Sequence, residues 1–280
     1  MIILLTNDDG YQAEGLTTLE MVLAQAGHEV WVCAPSDQRS AQSHAMSLKG
    51  KLRFIRYDAR HYHCSGTPAD CILYGLHGGA LPVRPDVVVS GINHGYNAST
   101  DILYSGTVGA ASEAALRGVP AIAISARCDR QSGKYPFVEA ASFLAAHLEA
   151  FVPLCSNEVL ININVPPSPN GSWCVGQIGQ LEYFDLVERG STNRSTSYDA
   201  SSTKIGLAYG DADSDANGVS IGDEMILSLK TETPPELRHS DLATDYRLLG
   251  EGCISVSPLV VHPVVDAATA ALLSAMAKGV

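Results

Sequence analysis

Five short, nearly unbroken runs of aliphatic and β-branched residues punctuate the first 166 residues: "IILLT" (2–6), "EVWVCA" (29–34), "DVVVSG" (86–91), "PAIAIS" (120–125) and "VLININ" (159–164). Between them lie stretches whose apolar residues recur at helical spacing, at 14–27, 68–79, 107–118 and 137–151. A strand that is apolar on both faces must be covered on both faces, and strands alternating with helices close into parallel β-α-β units. The predicted fold class is therefore α/β, a doubly wound (Rossmann-like), mostly parallel sheet whose ligands bind beyond the carboxyl ends of its strands. The segment "MSLKGKLRFIRY" (46–57) breaks the alternation and reads as a hairpin or an inserted strand pair.

After Pro166-Pro167 the character changes. Gly, Ser, Asp and Asn become dense, and "KIGLAYG" and "MILSLKT" alternate like hairpin strands outside the main sheet. The chain then returns in "GCISVSPL" (252–259) and ends on the apolar helix pattern "DAATAALLSAMAK". Three parts are expected: a core at 1–166 that carries the chemistry, a variable β-hairpin extension at 167–243, and a return strand with a C-terminal helix at 244–280.

A formal net charge of −12 argues against a nucleic-acid polymer as partner, since binding a phosphate backbone needs a basic surface. A single phosphate remains compatible, because a helix amino terminus or a metal ion can hold one on an acidic protein. The seven cysteines are odd in number and form no CxxC pair, the pattern of reduced thiols in a cytoplasmic protein. The amino terminus has no basic leader, and no apolar run is expected to span a membrane.

The chemistry-bearing residues gather at the predicted carboxyl ends of the strands. The first strand runs into Asn7, Asp8, Asp9 and Gly10, two adjacent carboxylates that repel each other if enclosed. The second leads to "APSDQRSAQSHA", with Ser40 and Ser43, and the third to "SGINHGYN", with Ser90, Asn93 and Asn97. "LYSGTVGAA" then sets Ser105, Gly106 and Thr107 at the start of a helix, whose free N–H groups favour a phosphate. Oxygen donors of this kind suit Mg²⁺, Mn²⁺ or Ca²⁺ rather than zinc. A divalent ion would also relieve the Asp8/Asp9 repulsion. Metal and phosphate cradle together are the minimum equipment for hydrolysing a phosphoester.

The motifs "NDDG", Arg39-Ser40, "GTPADC", "RPDVVVSGIN", "YSGTVGAA", "ININVP" and, later, "TDYRLLGEGCISVSPL" occur in an order and spacing that resemble the survival protein SurE family of 5′-nucleotidases. That resemblance implies a metal-dependent phosphomonoesterase acting on nucleoside 5′-monophosphates, with 3′-monophosphates and short polyphosphate as further substrates. It implies one divalent ion, Mg²⁺ or Mn²⁺, per subunit, held by Asp8, Asp9, Ser40 and Asn93. Asp8 and Asp9 are the catalytic candidates, as ligands, base or nucleophile; Asn97, Ser105, Gly106 and Thr107 are expected to bind the phosphate. Assembly as a homodimer or homotetramer through exchanged arms is likewise implied, and the apolar terminal helix, poorly covered on a monomer, agrees with it. Two departures stand out. The loop reads Arg-Ser-Ala-Gln-Ser where the family has Arg-Ser-Gly-Ala-Ser, and "VVHPVVD" replaces the usual Asp-Leu-Thr after the last strand.

Other features compete less well. "DSDANGVSIGDE" (213–224) fits a calcium-loop pattern, but its flanks alternate like strands, so a polar hairpin loop is expected. His61 and His63 share a strand face without a third ligand; His44 and His94 follow ligand loops and are the better proton-shuttle candidates. "AQAGHEVWV" resembles a turn of nucleotide-sugar glycosyltransferases, and a non-catalytic metal or nucleotide binder is the other alternative.

Overall fold

The computed structural model describes residues 1–79, 81–190, 203–204, 226–231, 235–238 and 243–263, together with positions 267, 269, 270 and 273. The chain divides into two compact units, one formed by residues 1–179 and 240–280, the other by 180–239.

The first unit opens as predicted: β1 (Ile2–Thr6), α1 (Glu14–Gln25), β2 (Glu29–Pro35). The 46–57 segment is not a strand pair in itself. Only β3 (Phe54–Arg56) forms within it, and its antiparallel partner is β4 (His61–Cys64), which in turn lies parallel to β2. Then follow α2 (Pro68–His77), β5 (Val87–His94), a 3₁₀ turn at Ser99–Tyr104, α3 (Gly106–Leu116), β6 (Ala121–Ala126), α4 (Phe137–Phe151) and β7 (Val159–Val165). The local reasons are plain. Helix α2 begins with Pro68 behind a reciprocal Thr67/Asp70 capping box, and the Ser105 hydroxyl caps α3 by accepting from the Val108 N–H.

Strand β8 (Trp173–Val175) joins the same sheet. In the second unit, β9 (Gln180–Glu182) pairs with β13 (Glu236–Arg238), and β10 (Asp185–Gly190) pairs antiparallel with both β11 (Thr203–Lys204) and β12 (Ile226–Thr231). The chain returns to the first unit in α5 (Asp245–Gly250) and β14 (Ile254–Val260), which lies antiparallel to β7 and parallel to β8. The calcium-like segment 213–224 and most of the C-terminal helix pattern lie outside the described residues.

The nine-stranded sheet runs β3-β4-β2-β1-β5-β6-β7-β14-β8. From β4 to β7 it is parallel throughout, with α1 and α4 packed together on one face and α2 and α3 on the other. Ile3, Leu5, Leu16, Leu19, Ile124 and Leu144 pack on the first face; Leu4, Cys33, Ile72, Val88 and Ala111 pack on the second. Residues Phe137–Leu154 are long and apolar enough by composition to cross a membrane, contrary to expectation. Here the segment contains α4, which buries Phe137, Ala140, Leu144 and Leu148 against the sheet. From β1 the chain moves outward to β2 and β4, then crosses back to β5 on the other side of β1. The junction of β1 and β5 is thus the switch point at which a sheet of this type opens a crevice.

Candidate active site at the strand switch point

Asn7, Asp8 and Asp9 leave β1 at this junction. Asn7 is buried, and its amide nitrogen closes the turn onto the Gly10 carbonyl at 2.8 Å. Its amide oxygen is buried with no partner, as are the hydroxyls of Thr6 and Ser90, which sit opposite each other on β1 and β5. Asp8 is buried as well; the Thr107 hydroxyl donates to its Oδ1 at 2.6 Å. Burial pushes the Asp8 carboxyl up to about 6, the Thr107 hydrogen bond opposes this, and the charge of Asp9 adds to it.

Asp9 is held from β5. The backbone N–H of His94 reaches its Oδ2 at 3.1 Å and the His94 Nδ1 approaches the same oxygen at 2.8 Å. The His94 ring is fixed edge-on by Tyr135 and Phe137. Its hydrogen bond to Asp9 raises its pKa against the opposing effect of burial. Strand β5 does not stop at Gly91, as the sequence suggested. It continues after a register shift and carries Asn93 and His94 at its end, where the Asn93 amide nitrogen donates to Gly95 O at 3.1 Å.

Ser40 comes from the loop after β2. The Arg39 N–H donates to the Asp8 carbonyl at 2.7 Å, and the Ser40 hydroxyl accepts from Gln38 Nε2 at 3.1 Å. The amino terminus of α3 completes the group. A Cβ on Gly106 would stand 3.0 Å from Asp8 Oδ2 and 3.4 Å from the Arg39 carbonyl oxygen, so any larger residue would press on Asp8 and the loop. Asp8, Asp9, the Arg39-Ser40 loop and Ser105–Thr107 therefore converge, with Asn93 next to the His94 that grips Asp9.

Asn97 sits deeper. Its backbone N–H donates to Asn164 Oδ1, its carbonyl accepts from both Asn162 and Asn164, and its side-chain nitrogen donates to Ser125 Oγ at 2.9 Å. This buried network ties together the ends of β5, β6 and β7, and sequence reasoning missed Ser125, Asn162 and Asn164. Asparagines two apart on an otherwise apolar buried strand were the available signal. Asp245 was missed too. Fully buried, it accepts from the backbone and hydroxyl of Ser99, from the Tyr246 N–H and from Gly179, fixing the 3₁₀ turn that leads into α3. His61 pairs with Asp58 and Glu20, and His63 with Ser36.

The profile of the family described as Survival protein SurE matches residues 3–185. This chain belongs to the SurE family. It is 43% identical over 194 residues to the 5′-nucleotidase SurE of Desulfitobacterium hafniense, covering 67% of this chain and 74% of that protein. To the 5′-nucleotidase SurE of Anaeromyxobacter dehalogenans it is 44% identical over 199 residues, 71% of this chain and 76% of the relative. The crystal structure of the SurE protein from Aquifex aeolicus superposes with a TM-score of 0.71 at 26% identity, covering 94% of this chain and 95% of that one. The stretches that build the crevice, from β1 through β7, fall within the matched span.

Proposed function

We propose that this chain is a metal-dependent 5′-nucleotidase that hydrolyses nucleoside 5′-monophosphates. The observation that carries the reading is the buried Asp8, beside Asp9 and set against the amino terminus of α3, in a family whose named relatives are 5′-nucleotidases. The donor chemistry fits a divalent cation. Asp8 is a buried carboxylate without a basic partner among the described residues, beside a second carboxylate and the orphaned Asn7 oxygen. Asp8, Asp9, Ser40 and Asn93 supply hard oxygens, the preference of Mg²⁺ or Mn²⁺, and one ion per subunit would balance the paired charges. When bound, such an ion supplies positive charge to phosphate oxygens and acidifies water.

The chain's own residues do the rest. The amino terminus of α3 presents the positive end of the helix dipole to the phosphoryl group with the Gly106 N–H leading, while the N–H and hydroxyl of Thr107 are both turned to Asp8 and the Ser105 hydroxyl caps the same turn. Asn97 gives one amide hydrogen to Ser125 and has a second for a phosphoryl oxygen. Thr107 engages one oxygen of Asp8 and leaves the other on the Gly106 side; His94 orients Asp9, and either carboxylate can accept a proton from the attacking water.

The 167–243 extension and the terminal helix are proposed as the elements through which a homodimer or homotetramer forms. The seven unbridged cysteines favour a cytoplasmic setting. The test is turnover of a generic aryl phosphate and of nucleoside 5′- and 3′-monophosphates and short polyphosphate, before and after chelation with EDTA. Activity should vanish on chelation and return with Mn²⁺ or Mg²⁺. Full activity after rigorous chelation refutes the metal reading, and no turnover in any metal favours a non-catalytic binder.

A further inference from the structure

We propose that His44 is a positioning residue: by pairing with Glu113 it fastens the loop after β2 to α3 and so sets Ser40 against Asp8. The proposal rests on the reading of Ser40 as a metal ligand. The loop carries backbone strain. Ala41 and Ser43 both lie in the left-handed region, with φ of 56° and 52°, a conformation that non-glycine residues adopt at a cost. The Arg39 N–H bond to the Asp8 carbonyl holds the loop's near end and an Ala45 N–H bond to the Gln42 carbonyl closes a turn within it; three polar contacts to α3 and to the turn before it hold its far side.

The first two are made by Ser43, whose N–H donates to the Tyr104 carbonyl at 3.0 Å and whose hydroxyl donates to the Leu103 carbonyl at 2.8 Å. The loop backbone then lies directly on α3 at Gly109, where a Cβ would collide with the Ser43 carbonyl oxygen and stand 2.9 Å from His44 Cα. The third contact is His44 itself, whose Nε2 is 2.9 Å from Glu113 Oε2. Glu113 is a built anchor. Its side chain is 2% exposed, and its other oxygen takes Arg117 Nη2 at 2.6 Å and Nε at 2.7 Å. Burial alone would raise the Glu113 carboxyl, yet the hydrogen bonds from His44 and Arg117 hold it below its ordinary value.

The geometry gives this pair a consequence for the site. Glu113 lies two turns along the helix whose first turn carries Ser105, Gly106 and Thr107, and a helix is rigid over that distance. One rod thus presents the phosphate-facing amides at its tip and grips the Ser40 loop at its middle. Loosening the grip lets Ser40 drift relative to Asp8, while the half-exposed His44 adds little to the core.

The experiment compares wild type, His44→Ala and His44→Gln. Amide hydrogen exchange is measured on the metal-free proteins, and Mn²⁺ affinity is read from the free-ion signal in electron paramagnetic resonance. In His44→Ala the 39–45 amides should exchange faster and α4 should not. Mn²⁺ should bind roughly tenfold more weakly, as when other groups that orient metal ligands are removed. His44→Gln, whose amide can donate to Glu113, should recover most of both effects. Unchanged exchange over 39–45, or wild-type Mn²⁺ affinity in His44→Ala, overturns the proposal. If the wild type itself fails to bind Mn²⁺, the metal reading falls, and the exchange measurement still decides whether His44 holds the loop.

Discussion

Replacing Asp8 by asparagine should make the metal-free protein more stable while abolishing its metal-dependent turnover. Burial raises the Asp8 carboxyl from an ordinary 3.8 to about 6. The folded chain therefore holds this proton more tightly than the unfolded chain does. Between those two values the folded state binds more protons, so stability falls as pH rises through the window. Above it the carboxylate is ionised in both states and the full penalty is present. At about 1.4 kcal/mol for each pH unit, the penalty is about 3 kcal/mol at neutral pH.

Asparagine is isosteric and uncharged, and its Oδ1 can still accept the Thr107 hydroxyl. Near neutral pH, metal-free Asp8→Asn should melt roughly 6 to 12 °C above the metal-free wild type, from about 2–4 °C per kcal/mol for a chain of this size. The gap should close as the pH is lowered toward 4. Added Mn²⁺ should raise the wild-type midpoint and leave the variant's nearly unmoved, because only the wild type retains both charges. Thermal melts in chelator at several pH values, repeated with Mn²⁺, read all three effects. A variant melting at or below the wild type at neutral pH, or a gap that ignores pH, would refute the premise that Asp8 is a charge held at the expense of the fold.

Two further outcomes follow from the same neighbourhood. Ser105→Ala removes the cap of α3 and should cost about 1 kcal/mol in denaturant unfolding. If Ser105 also faces the phosphate, kcat should fall by more than that loss accounts for, and an unchanged kcat would leave it a cap alone. Asp245→Asn puts a donor where the backbone and hydroxyl of Ser99 both donate, and should cost about 3 kcal/mol. A shift of the urea midpoint equivalent to less than about 1 kcal/mol would mean that the turn before α3 does not depend on this carboxylate.

What was legible in the sequence was whatever is local. β1, β2 and β6 announce themselves because a strand covered on both faces has no polar side to show, β7 does so through its aliphatic residues despite Asn162 and Asn164, and all four form within a residue or two of their expected spans. The α2 start was written in Thr67, Pro68 and Asp70, and the α3 start in Ser105. The Asp8/Asp9 pair could be placed because a strand end in a doubly wound sheet has a known address. Two local readings failed for physical reasons. Gly91 looked like the end of β5, whereas the strand absorbs it through a register shift and runs on to His94. The 46–57 segment looked like a pair, but β3 finds its partner in β4, further along the chain. Asp245, which reaches 146 residues back to Ser99, has no signature in spacing or periodicity.

The backbone itself marks where local preference was overridden. Among the described residues, the non-glycine residues with positive φ are Ala41, Ser43 and Ser99, and all three lie in the two segments that lead to the crevice. Two of these positions are clamped from a distance, Ser43 by the turn before α3 and Ser99 by Asp245. Such a conformation persists only where surrounding contacts over-determine it. Among the described non-glycine residues, left-handed backbone is confined to the segments that bring the Ser40 loop and the amino terminus of α3 to Asp8. That confinement is what a site assembled from separate strand ends requires. β1 supplies the charge, and the loops must be held to it against their own preferences.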